Sequence, residues 1–220
     1  MQELYNQTAT AEAQSAEVSK VLRNTYMLLG MTFAFSALMA VVAIALSVPY
    51  LGLWMLLPYI AFLWLTEKNK NSAMGLVWVF ALTGWLGFTA GPIVGMVSAT
   101  AGIQPVLMAL GGTALIFFGL SGYVLTTRKD LSFMGGFLMV GLLVAFVAGI
   151  ANVFLNISGM HLAVSAMFLL LSSGVIAWYT SVIIHGGETN YISATVTLFV
   201  ALYNIFMSLL SLIMSFGGDD

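Results

Sequence analysis

Long uncharged stretches alternate with small groups of charged residues along the whole of this sequence. Charges fall within residues 3–23, 67–70, 128–130, 188 and 219–220, and the intervening stretches 24–66, 71–127, 131–187 and 189–218 carry none. A membrane-spanning helix needs about 20 apolar residues. The first three stretches are each long enough for two such helices and the last for one, so the pattern predicts seven spans.

Turn-forming residues divide the three longer stretches near their midpoints. Ser, Pro, Gly and Asn cluster within residues 47–52, 98–105 and 156–160. The predicted spans are therefore residues 26–46, 51–65, 73–97, 106–125, 133–155, 161–184 and 191–216. The second span is short and contains Pro58, so we expect it to tilt or bend.

The composition is typical of an all-α, polytopic membrane protein with a bundle of seven transmembrane helices. Hydrophobic residues make up 61% and charged residues 6% of the 220 positions, and the mean hydropathy is +1.05. A soluble domain carries about 25% charged residues. The net charge of −2 and the lack of cysteine in the sequence exclude a basic nucleic-acid binder, a disulfide-stabilised secreted domain and thiol chemistry.

All basic residues fall on one side of the predicted membrane, and they are Lys20, Arg23, Lys68, Lys70, Arg128 and Lys129. The positive-inside rule makes this side cytoplasmic. With seven spans, the N-terminus is then cytoplasmic and the C-terminus periplasmic. The first 19 residues are acidic and polar, whereas a signal peptide would be basic and then apolar. The tail that we predict comprises residues 1–22. We expect them to form a loose cytoplasmic tail, disordered or transiently helical, that a partner can grip, followed by the transmembrane domain at residues 23–220.

Small residues recur at intervals of four in two predicted spans, which places them on one helix face. They are Gly87, Gly91 and Gly95 in the third span and Gly141, Ala145 and Gly149 in the fifth. We interpret both faces as sites of tight helix packing. Pro92 lies within the first of them and removes a backbone donor. Gly91 and Pro92 are therefore also a candidate hinge, or the lining of a polar cavity.

The sequence offers little for catalysis, and we expect no enzyme and no metal or organic cofactor. The two histidines, His161 and His185, are 24 residues apart, which is not the spacing of a His-Glu-x-x-His metalloprotease. No carboxylate falls inside a predicted span. The segment GLSG at 119–122 is similar to the Gly-x-Ser-Gly motif of rhomboid serine proteases. However, Ser121 and His161 are expected near opposite membrane boundaries, roughly 25 Å apart, too far for a Ser–His pair.

Several longer segments resemble the Bax inhibitor-1 family, and more closely its bacterial YccA branch. They are GPI at 91–93, GGTA at 111–114, LTTRKDLSF at 125–133, HGGETNY at 185–191 and LYNIF at 202–206. The resemblance implies seven helices in a bacterial inner membrane, surrounded by membrane lipid. It also implies two alternative functions. Some members of the family are pH-sensitive calcium leaks, whereas the YccA branch associates with the FtsH protease and its HflKC partners, as a substrate that also restrains proteolysis.

Two positions separate these alternatives. Leak-type members carry acidic residues late in the sixth helix and in the seventh, where this sequence has Tyr179 and Ala201. Calcium takes six to eight oxygen ligands, normally including carboxylates, and neither Tyr nor Ala titrates near neutral pH. We therefore favour a regulator and binding partner of FtsH over a calcium or proton leak.

The remaining polar residues form two candidate sites. The bundle-core site comprises Tyr179, Thr180, Ala201, Tyr203 and Asn204. Here we expect the Tyr179 hydroxyl to hydrogen-bond near Asn204 or to the backbone, and the site to be neutral at physiological pH. The second is a cytoplasmic loop with His185 and Glu188. Capping of the seventh helix by Glu188 or Thr189 is the simpler interpretation, and a protein-binding or proton-sensing loop is the alternative.

Overall fold

The computed structural model describes the backbone of residues 1–217 and the side chains of these residues other than 2–14. It is all-helical over this part of the chain, as predicted. The seven α-helices are α1 (Gln2–Ala45), α2 (Leu56–Asn69), α3 (Ala73–Ala101), α4 (Gln104–Thr127), α5 (Met134–Leu155), α6 (Met160–Ile184) and α7 (Tyr191–Phe216). A 3₁₀ turn over Gly52–Met55 leads directly into α2.

Six of these helices are long and apolar enough to cross a membrane, α1 through its segment Ser15–Ala45. The exception is α2, whose 14 residues extend about 21 Å, less than the hydrocarbon core of about 30 Å. Pro58 lies in the first turn of α2, where the backbone donors have no intrahelical partner, and the helix continues past it to Asn69. The 3₁₀ turn lengthens this segment by about 8 Å.

The first helix begins much earlier than the predicted first span. It runs without a break from Gln2 to Ala45, so the predicted loose tail continues the helix of the first span. The first buried side chain described in α1 is Val21, and Ser15–Lys20 are exposed or half-buried. Residues 15–20 of the tail therefore contribute no buried side chain to the bundle, whereas Val21, at the end of the tail, belongs to the main hydrophobic cluster.

The core of the bundle surrounds α7, which packs against α6, α4, α1 and α3. Leu198, Phe199 and Ile205 of α7 are almost completely buried in the main hydrophobic cluster. By contrast, α5 packs mainly on α6 and presents most of its apolar side chains outward. This is the arrangement expected of a peripheral helix whose outer face contacts lipid.

The small-residue face of α3 packs against α1, as its spacing predicts. A Cβ atom added at Gly87 would overlap the carbonyl oxygen of Ser36, and one at Gly91 would lie 2.7 Å from the carbonyl oxygen of Ala40. The two backbones are therefore in direct contact. The helix passes Pro92 without interruption, so the predicted hinge is not visible as a break in α3.

The small-residue face of α5 also packs as predicted, against α6. A Cβ atom at Gly141 would lie 2.7 Å from Leu171, and Ala145 is completely buried. The fit at Gly149 is looser, because its nearest neighbour, Val164, would be 3.5 Å from an added Cβ.

Candidate functional site

All six basic residues lie at one end of the bundle. The α2–α3 turn that follows Lys68 is hydrogen-bonded to the start of α7, and the chain at Lys129 is hydrogen-bonded to the end of α6. Lys20 and Arg23 come just before Thr25, whose carbonyl oxygen lies 3.4 Å from the Thr195 hydroxyl of α7. This common end contains most of the charged side chains that the structure describes.

Asn190 joins the α6–α7 connection to the α2–α3 turn. Its side-chain oxygen accepts hydrogen bonds from the backbone N–H groups of Ile192 (2.9 Å) and Ser193 (3.2 Å), which caps α7. Its side-chain nitrogen donates to the carbonyl oxygen of Lys70 (3.1 Å) and to the Asn71 side chain (2.8 Å). The N-cap is thus Asn190 and neither Glu188 nor Thr189, although Glu188 accepts a hydrogen bond from the backbone N–H of Asn190 at the start of this helix.

Glu188 connects the end of α6 to the start of α7. One carboxylate oxygen accepts a 2.7 Å hydrogen bond from the Tyr179 hydroxyl, and the other accepts one of 2.7 Å from the backbone N–H of Asn190. The expected hydrogen bond from Tyr179 to Asn204 or to the backbone is therefore wrong. The surroundings of Tyr179 are not neutral either, because a carboxylate from the loop reaches its hydroxyl.

A second carboxylate completes this group of residues. Glu67 forms an ion pair with Lys70 and accepts a 3.2 Å hydrogen bond from the Ser193 hydroxyl. The hydrogen bond to Glu67 raises the pKa of the Lys70 ammonium above its ordinary value, so Lys70 stays charged at neutral pH. We call the set Glu67, Lys70, Asn71, Tyr179, Glu188, Asn190 and Ser193 the loop cluster.

His185 lies outside the loop cluster and belongs to contacts with the α4–α5 connection. Its Nδ1 atom is 2.8 Å from the Ser181 carbonyl oxygen, which can only accept, so this nitrogen carries a proton. The Ser181 hydroxyl donates to the Lys129 carbonyl oxygen (2.9 Å) and accepts from the Leu131 N–H (3.0 Å). Nearby, hydrogen bonds from Ser132 lower the pKa of the Asp130 carboxyl.

The five residues of the predicted bundle-core site do not converge on one point. Tyr179 belongs to the loop cluster, whereas the adjacent Thr180 is completely buried and has no hydrogen-bond partner. Ala201 lies in the main hydrophobic cluster, and the Tyr203 hydroxyl faces Thr89 of α3. Within the described part of the chain, nothing forms a side-chain hydrogen bond with Asn204.

The structure also shows what surrounds the groups considered for catalysis. Ser121 is buried and its hydroxyl has no hydrogen-bond partner, so it does not form the Ser–His pair of a serine protease. Within residues 1–217, excluding side chains 2–14, no three His, Cys, Asp or Glu side chains are grouped to hold a metal ion.

Removing the Asn190 amide should destabilise the bundle. We expect Asn190→Ala to lower the free energy of unfolding by about 2 kcal/mol, because the substitution removes a helix cap and two hydrogen bonds to the α2–α3 turn. Unfolding of purified protein in mixed micelles measures this change. Asn204→Ala is the matched control, since Asn204 forms no such bonds, and equal losses in the two variants would contradict the tethering role.

Asn190 could have been predicted from the sequence as the cap of α7, since Asn is a preferred N-cap and precedes the apolar run of this helix. The contact between Glu67 and Ser193 could not have been predicted, because it joins residues that are 126 positions apart.

Comparison with known proteins identifies what this chain is similar to. Residues 18–218 match the family described as inhibitor of apoptosis-promoting Bax1. The chain is 52% identical to the Modulator of FtsH protease YccA of Escherichia coli K12, over 91% of this chain and 92% of the relative. The Inner membrane protein YccA of Escherichia coli O6:H1 matches equally well. An uncharacterized protein of Pseudomonas aeruginosa is 50% identical over the full length of both chains.

Proposed function

Because the chain belongs to the family of the inhibitor of apoptosis-promoting Bax1, we propose that it is a regulator and binding partner of the FtsH protease in a bacterial inner membrane. The observation that carries this proposal is the 52% identity, over 91% of the chain, to a protein named as a modulator of that protease. A second relative of equal similarity is named as an inner membrane protein. The chain acts by binding and requires no catalysis of its own.

The proposal includes an orientation in the membrane. The end of the bundle that carries the basic residues and the loop cluster faces the cytoplasm, in keeping with the positive-inside rule. The N-terminus is then cytoplasmic and, with α2 and its 3₁₀ turn counted as a seventh span, the C-terminus is periplasmic. The exposed His185 and the half-buried Glu188 belong to the cytoplasmic surface available to FtsH and to its HflKC partners.

The chain is also proposed to be a substrate of FtsH, with the beginning of α1 as the segment that the protease grips. The support is structural: among the side chains of α1 that are described, Val21 is the first buried one, and Ser15–Lys20 are exposed or half-buried. A protease can engage such a segment without first separating packed helices.

Removal of residues 1–15 should therefore lengthen the lifetime of the protein in cells that contain FtsH. Pulse-chase measurement of the half-life, with and without FtsH, tests this expectation. A variant in which the same number of residues is replaced by a Gly/Ser sequence is the control, because it keeps the length of the segment and should remain short-lived. An unchanged half-life after the deletion would contradict the role of this segment.

A further inference from the structure

Polar side chains meet in pairs across the interface between α6 and α7, which are antiparallel neighbours packed along their length. Towards the end away from the loop cluster, the Ser165 hydroxyl donates a 3.1 Å hydrogen bond to the Ser211 hydroxyl. At the loop-cluster end, the Tyr179 hydroxyl lies beside the hydroxyl of Thr197. The two pairs are 14 residues apart on both helices, at positions 165 and 179 of α6 and 197 and 211 of α7. These contacts therefore fix how the two helices are aligned.

Ser172 and Asn204 lie halfway between these two pairs. Each is seven residues, on its own helix, from the paired residue on either side of it. Seven residues make about two helical turns, so both side chains lie on the faces that meet at this interface. The contact of His161 with Ser215, at 3.4 Å, fits the same alignment. The alignment therefore places Ser172 of α6 opposite Asn204 of α7.

These two side chains do not bond to each other directly. Ser172 is only 1% exposed, and its hydroxyl has no hydrogen-bond partner. Asn204 is half-buried, and its amide forms no hydrogen bond within the described part of the chain. The neighbouring Ser173 differs, because its hydroxyl donates a 2.7 Å hydrogen bond to the Leu169 carbonyl oxygen of its own helix. The Ser172 hydroxyl thus lies beyond direct hydrogen-bonding distance of both Asn204 and the α6 backbone.

Both groups are at the middle of their membrane spans. Ser172 is 12 residues, about 18 Å, from each end of α6, and Asn204 is 12 residues from the end of α7. Hydrocarbon offers no hydrogen bonds, so polar groups at this depth need partners inside the protein. Neither helix contains Lys, Arg, Asp or Glu, so no charge on α6 or α7 compensates an ion there. A small neutral molecule that both donates and accepts hydrogen bonds fits this position.

We propose that one water molecule is bound between Ser172 and Asn204. The Ser172 hydroxyl donates to the water oxygen, and the water donates in turn to the side-chain carbonyl oxygen of Asn204. The bound water links α6 to α7 at the middle of the membrane, between the two directly bonded pairs. This site goes beyond the proposed regulation of FtsH and does not depend on it.

A double-mutant cycle tests the shared water by unfolding of the purified full chain in mixed micelles. Ser172→Ala and Asn204→Ala should each raise the equilibrium constant of unfolding about threefold, the effect of an average polar contact between membrane helices. The double variant should also show about a threefold rise, because either substitution already breaks the same bridge. Effects that multiply in the double variant would overturn the proposal. So would a stabilising effect of Ser172→Ala, which is expected if this hydroxyl has no partner at all.

Ser173→Ala is the matched control, since it removes the same group one position along α6, where the hydroxyl is bonded to its own helix. Its effect should multiply with that of Asn204→Ala, because the two side chains share no partner. Coupling of Ser173 to Asn204 as strong as that of Ser172 would overturn the proposal.

A crystal structure of the unmodified protein grown from a lipidic mesophase, at a resolution that shows ordered water, tests the site directly. The proposal predicts one water within hydrogen-bonding distance of both the Ser172 hydroxyl and the Asn204 amide. A direct hydrogen bond between these two side chains, or no ordered water between them, would overturn it.

Discussion

Replacing Gly87 by alanine is expected to lower the free energy of unfolding by about 3 kcal/mol, a value at the upper end for overpacking substitutions. The added Cβ atom would overlap the carbonyl oxygen of Ser36. Because a backbone atom cannot turn aside as a side chain does, α1 and α3 must separate. This separation would loosen the contacts along their shared interface, including that of Gly91 with Ala40.

Gly111→Ala is the matched control for this prediction. A Cβ atom at Gly111 meets nothing within 4 Å, and alanine favours a helix over glycine by about 1 kcal/mol. We therefore expect the stability of this variant to be unchanged or slightly raised in the same unfolding experiment. Stability of Gly87→Ala equal to that of the unmodified protein would show that α1 and α3 do not need their close backbone contact.

The unmodified protein in liposomes should pass little calcium between about pH 6 and pH 8. By the resemblance given in the sequence analysis, Ala201 corresponds to one acidic position of the leak-type members, and it is buried in the hydrophobic cluster. Tyr179 stands at the other and is hydrogen-bonded to Glu188 of the loop cluster. The carboxylate of Glu188 reaches Tyr179 from the loop at the end of α6, whereas dehydration of a divalent cation within the spans needs charge at that depth.

The combined variant Tyr179→Asp with Ala201→Asp should introduce a calcium flux that changes with pH, because both new carboxylates titrate. The matched control is Tyr179→Asn with Ala201→Asn, which has nearly the same shape without the charge and should remain silent. Calcium-sensitive dye trapped in the liposomes measures the flux. Strong flux from the unmodified protein would contradict the regulator function and favour a leak.

The sequence predicted the helices well because their signals are local. Runs of apolar residues and the turns between them place six of the seven helices close to their observed positions, and α6 and α7 nearly to the residue, although α2 is not long enough to count as a candidate span. The small-residue spacing likewise predicted tight packing at Gly87 and Gly91, although it did not identify α1 as the partner helix. The start of α1 was missed because a charged segment carries no hydropathy signal, although it can continue a helix that has already formed.

The loop cluster could not be predicted in the same way, because its contacts join distant parts of the chain. The Asn190 side chain meets residues of the α2–α3 turn that lie about 120 positions earlier. The partner of the Tyr179 hydroxyl depends on how the α6–α7 connection folds back over the end of α6. Helix periodicity places Tyr179 on a face, but it does not specify whether a loop carboxylate reaches that face.

The rate at which FtsH degrades a membrane-anchored substrate, measured in liposomes with and without this protein, tests the proposed function most directly. The proposal predicts slower degradation as the protein is added, together with co-purification of the two proteins in mild detergent. The protein lacking residues 1–15 should slow FtsH as well, since it keeps the helix bundle that binds the protease. FtsH should also degrade this variant more slowly than the unmodified protein. A degradation rate that is unchanged at saturating amounts of folded protein would contradict the proposal.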